Sequence, residues 1–133
     1  MLKVLKPTLA ASIIAASFSF NALAADIEKM HFLIPGGAGG GWDMTARGTG
    51  DVLIKSDIVE TVSFQNLSGG GGGKAIAHLI ETADRQEDTL MVNSTPIVVR
   101  SLSGIFPQSF RDLTPVAATV ADYGAIVTSA DSP

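Results

Sequence analysis

The sequence has no cysteine, one tryptophan, one tyrosine and few basic residues. Without cysteine there is no thiol nucleophile, no disulfide and no thiolate metal site. Nine Lys and Arg against 13 Asp and Glu give a net charge of −4. That balance argues against nucleic-acid or anionic-membrane partners. The uncharged stretch Leu9–Phe20 is shorter than the roughly 20 residues a membrane span requires.

What that stretch does resemble is the apolar core of a secretory leader. Lys3 and Lys6 precede it, and Ala22-Leu23-Ala24 places small residues at a cleavage site, so residues 1–24 read as a signal peptide. Taking 24 from 133 leaves 109 residues, the size of one small domain. Seven basic and all 13 acidic residues remain, a net charge of −6. An anion site on such a chain has to work at short range. The expected location is the periplasm.

Strand and helix signals then alternate. Lys29–Ile34, Thr61–Asn66 and Thr89–Asn93 read as strands; Trp42–Lys55, Lys74–Thr82 and Ile97–Leu102 read as helices. Pro115–Val120 and Ala125–Thr128 read as two further short strands. The alternation predicts an α/β fold with a doubly wound, mainly parallel sheet. The ending TSADSP leaves a strand where another helix would follow, so residues 25–133 are expected to be the N-terminal part of a longer protein.

Glycine is the residue in excess. Ten of 14 lie in Gly36–Gly41 and Gly69–Gly73, each after a strand and before a helix. In a parallel sheet such loops share the carboxyl edge, where ligands bind. Glycine lets backbone approach a ligand and lets successive N–H groups converge on an anion. The helix starts add unpaired N–H groups. The competing reading is a pair of flexible linkers. Nucleotide signatures fail: Ser68 and Ala75 break a Walker A pattern around Gly73-Lys74, and the first loop has Trp42 where a third glycine belongs. Gly70, Gly72 and Ala75 fit a dinucleotide pattern, but Asn93 stands where an acidic residue is needed.

Around the loops, Asp43 reads either as a ligand contact or as a cap on loop and helix N–H groups. Arg47 reads as its i,i+4 partner or as a direct carboxylate contact. Trp42 is a pocket wall or a packing residue. Ser68, Ser94 and Thr95 offer hydroxyls, with helix capping the alternative for the last two. His31 and His78 have no metal-ligand spacing, and no nucleophile, base and orienting group assemble. Neither a cofactor, a metal nor an enzymatic activity is expected.

IPGGAGGGWDMTARG, FQNLSGGGGGKAIAHL, DTLMVNST and FRDLTPVAATVADYGAIVTSADSP together resemble the extracytoplasmic solute-binding proteins of the tripartite tricarboxylate transporter family, also called Bug proteins, over about Met30–Pro133. The resemblance implies a periplasmic-binding-protein fold (type II) with two α/β lobes and a hinge, a small carboxylate ligand and membrane transporter subunits as partners. By matching position it implies ligand contacts at Gly39, Gly40, Gly41, Trp42 and Asp43, at Ser68, Gly69, Gly70, Gly71 and Gly72, and at Ser94 and Thr95. Many members carry RPGAGG where this chain has LSGGGGG, and many lack Trp42, so the second loop's donors and the particular carboxylate stay open. The alternatives are a nucleotide-binding α/β enzyme and a periplasmic sensory lobe that contacts a membrane kinase.

Overall fold

The apolar run ending at Pro35 is the central strand, β1 (Ile27–Ile34), in a computed structural model that describes residues 27–121 and 123–132. The expected signal peptide lies outside the described residues. Helix α1 (Gly41–Lys55) leads to β2 (Val59–Asn66); α2 (Gly73–Glu81) leads to β3 (Thr89–Met91); α3 (Thr95–Leu102) follows. Both outer strands pair in parallel with β1, giving the order β2-β1-β3. The chain is thus a small α/β domain whose three parallel strands alternate with helices.

Strand periodicity divides the core in two. On one face Phe32 and Ile34 pack with Ala46 of α1, flanked by Val62, Phe64, Leu90 and Val92. Phe32 and Phe64 are register partners, and their rings stack at 5.6 Å. Gly50 lets α1 sit down on β2: a Cβ there would come within 2.8 Å of Phe64 Cζ. Gly48, two residues earlier, faces open space. Met91 points the other way from Leu90 and joins Ile76 and Ile80 of α2, Ile97 of α3, Phe106, Phe110 and Leu113. Phe32, Ile34, Ile76 and Ile97 are all buried, each contributing about 1.5–3 kcal/mol.

The helix ends follow their local chemistry. Asp57, at φ +53°, turns the chain out of α1, with its N–H donating to the Ile54 carbonyl. Pro96 sits in the first turn of α3, where a missing N–H costs nothing. The observed α3 is therefore two residues longer at its start than the expected Ile97–Leu102, and β3 is two residues shorter at its end than the expected Thr89–Asn93.

The two strands expected at Pro115–Val120 and Ala125–Thr128 are not formed. Those residues carry no strand pairing and are exposed; Val116, Val120, Ile126 and Val127 all face solvent. Strand preference is largely a preference for a pleated, half-buried surface, and this segment is exposed instead. The doubly wound sheet of the sequence reading is, among the described residues, a sheet of three strands.

Candidate ligand-binding rim

All three strand-to-helix loops leave the same edge of the sheet, because all three strands are parallel. They also touch. Leu67 N–H donates to the Ile34 carbonyl at 2.8 Å, tying the second loop to the first. A Cβ on Gly72 would lie 2.8 Å from Ile97 Cγ1 and 3.7 Å from Pro35 Cβ, so the second loop crosses between the end of β1 and α3.

Asp43 organises the first loop. One carboxylate oxygen accepts from Gly39 N–H at 2.8 Å and from Arg47 Nε at 3.0 Å; the other accepts from Asn66 Nδ2 at 3.0 Å. Asn66 also donates to the Gly36 carbonyl at 3.0 Å. Asp43 is only 3 % exposed, and its carboxylate is answered by groups of the chain itself. The Arg47 hydrogen bond, then those from Gly39 and Asn66, hold its carboxyl far below the usual carboxylate range against an opposing effect of burial. Asp43 in turn raises the Arg47 guanidinium. Arg47 also lies over the Phe64 ring, 4.9 Å from its centroid. The i,i+4 pair expected from sequence is present; the bond from Asn66 was not foreseen, because nothing in FQNLSG marks its asparagine as a partner for a residue 23 positions away.

Gly39 adopts φ +79° and presents its N–H to Asp43, while Gly40 N–H donates to the Gly37 carbonyl at 3.2 Å. Gly40 is the α1 N-cap and has no side chain with which to cap. The N–H groups of Gly41, Trp42 and Asp43 open the helix and have no carbonyl four residues back. Trp42 packs against both core clusters, and its indole N–H donates to Ser94 Oγ at 2.9 Å. Ser94 is the α3 N-cap, yet its hydroxyl serves Trp42 rather than the helix. Thr95 follows, exposed, in the first turn.

The second loop is more contorted. Gly69, Gly70, Gly71 and Gly72 have φ of 142°, 56°, 63° and 102°, four successive residues in a region that favours glycine. Gly72 N–H donates to the Gly69 carbonyl at 3.1 Å. Ser68 is exposed at the loop's entrance. Gly72 and Gly73 are buried, and a Cβ on Gly73 would lie 2.5 Å from Phe106 Cδ1. Part of the run thus serves close packing, a purpose the sequence reading did not assign to it.

A groove of about 490 Å³ lies elsewhere, lined by His31, Ser63, Gln65, His78, Asp84 and Asp88 among others. His31 Nδ1 and Ser63 Oγ are 2.8 Å apart because they are register partners across β1 and β2. Among the described residues no third side chain hydrogen-bonds to this pair. Asp84, Glu87 and Asp88 wall the groove together with Lys29 and Arg85. No cluster of three metal-ligating side chains occurs among the described residues. Nor, among those residues, is any helix long and apolar enough to cross a membrane. Comparison with family models, curated proteins and solved structures finds no match for the chain.

Proposed function

We propose that this chain forms one lobe of an extracytoplasmic solute-binding receptor that takes up a small carboxylate for a tripartite tricarboxylate-type transporter. The observation that carries the reading is the meeting of two glycine-rich strand-to-helix loops at one rim of a parallel sheet, braced from beneath by the buried Asp43. Amides freed from side-chain bulk can close on an anion there. The N–H groups that open α1 lie at the same rim. Gly39, Gly40, Gly41, Ser68, Gly69, Gly70, Gly71, Gly72, Ser94 and Thr95 line the site, with Trp42 as its apolar wall and Asp43 as its brace.

In a two-lobed receptor the ligand is enclosed when a second lobe closes over this rim and delivers it to the membrane subunits. The present rim is a single wall, so its own affinity is low, with a Kd on the order of 1 mM. Titration of the ¹⁵N-labelled chain with small carboxylates tests the reading. Saturable shifts confined to the glycine amides and the Trp42 indole N–H support it. Shifts around His31 and Ser63, or none at all, reject it.

A further inference from the structure

We infer that the outer edge of β2 is a dimerisation surface, on which a second copy of this chain pairs antiparallel about a two-fold axis through Ser63. The inference stands apart from the carboxylate reading, because this edge runs along the side of the sheet and not across its rim.

Backbone groups in a strand alternate in direction as side chains do. Leu67 N–H donates to the Ile34 carbonyl, so the odd-numbered residues of β2 turn their N–H and C=O groups to β1. The even-numbered residues Glu60, Val62, Phe64 and Asn66 turn theirs outward, and among the described residues no backbone group meets them. Free edges are ordinarily blunted by lysine, proline, a bulge or short length. β2 has none of these: it is the eight residues VETVSFQN in constant register with β1. The opposite free edge, on β3, is three residues long. Apolar surface flanks the β2 edge as well. Ile58 precedes it and is exposed. Ile54 is exposed on the side of α1 that Gly50 and Arg47 turn to Phe64.

The sequence of β2 complements itself in one antiparallel register. With Ser63 facing Ser63 of the second copy, Val62 falls opposite Phe64, Thr61 opposite Gln65 and Glu60 opposite Asn66. Val62–Phe64 and Glu60–Asn66 become the hydrogen-bonded pairs, as the outward groups of the even-numbered residues require. The strand's one charge does not face its like. Glu60 falls diagonal to Phe64, over whose ring Arg47 lies at 4.9 Å, so an acid of each copy approaches a base of the other. Centring on Val62 instead sets Glu60 against Phe64, and centring on Phe64 carries Glu60 past the end of the strand. A two-fold pairing also consumes the edge on both copies and so closes the assembly at two chains.

The test reads both association and register. In this register the two Ser63 Cα atoms form a non-hydrogen-bonded pair about 4.5 Å apart, within disulfide reach. The chain has no cysteine of its own. Under mild oxidation S63C is expected to give a disulfide-linked dimer. T61C or Q65C alone, each four residues out of line with its counterpart, is not, whereas the two mixed together are. Sedimentation of the full chain is expected to show a monomer–dimer equilibrium with a Kd between about 1 μM and 1 mM. S63K sets like charges face to face at the axis from an exposed position and is expected to weaken it about five-fold. Hydrogen exchange at the Val62 and Phe64 amides slows as the parent chain is concentrated. Urea midpoints at high dilution show whether S63K keeps its fold; if it does not, the cross-linking pattern decides. A monomer up to about 1 mM with no S63C cross-link overturns the inference. So does a dimer that S63K leaves unchanged, or one in which T61C alone cross-links as readily as S63C, since each places the interface elsewhere. Slow exchange at Val62 and Phe64 in a monomer shows another segment of the same chain on this edge, and overturns it too.

Discussion

The indole N–H of Trp42 reaches Ser94 Oγ at 2.9 Å across 52 residues of sequence, linking the start of α1 to the start of α3. This bond fixes the third loop relative to the first. Ser94→Ala removes the acceptor at a solvent-exposed site, where water can replace it, and is expected to cost about 0.5–1.5 kcal/mol in urea denaturation. Trp42 is the chain's one tryptophan, so its fluorescence reports the change directly. An unaltered spectrum and midpoint would show that the two loops are held by other contacts.

Asp43 predicts how stability varies with acidity. Its folded-state pKa lies below that of the unfolded chain, so its contribution is fully present above the unfolded value, about 3.9, and is lost as pH falls toward the folded value. Urea midpoints measured from pH 7 downward should stay level with respect to this group and then drop below about pH 4. Asp43→Asn should be less stable at neutral pH and show a shallower acid decline. A variant with the parent's acid profile would place the titrating group elsewhere.

Gly48 and Gly50 share a helix but have opposite expectations. Gly48→Ala meets no atom and gains helix propensity, raising stability by about 0.5–1 kcal/mol. Gly50→Ala gains the same propensity but forces a methyl against Phe64 and Val62, a clash of about 1–3 kcal/mol, and should be destabilising on balance. Thermal melts of the two variants separate packing from propensity; stabilisation by both would mean that α1 can lift off β2 at little cost.

Gly72→Ala should be more harmful than either. It combines φ +102° with a Cβ 2.8 Å from Ile97 and disturbs the contact of the second loop with α3. A loss of about 1–3 kcal/mol is expected from the backbone alone. Gly70→Ala faces open space at φ +56° and should lose less. Denaturation of the pair checks the order.

The placement of strands and helices was legible because apolar runs and their stops are local signals. KMHFLI before Pro35 and KAIAHLIET after five glycines declare themselves within a few residues. The common edge for the glycine loops was legible too, since alternation implies parallel strands. What could not be read was anything that depends on distance in space. The Asn66–Asp43 bond, the reach of Trp42 to Ser94, and Arg100 lying on Gly71 join residues 23, 52 and 29 positions apart, with no pattern to announce them. The same limit explains the error at Pro115–Val120. Its composition is that of a strand, but a strand exists only where a neighbour offers an edge.

The central strand of this sheet is also the first to be made. Both ladders of β1 wait on partners that come later, β2 and then β3. A chain synthesised or exported from its amino end therefore carries Phe32, Leu33 and Ile34 uncovered until Met91 has followed. During that interval its most apolar backbone is open to the wrong neighbour, so the yield of this fold should depend on what shelters β1 while the rest of the chain emerges.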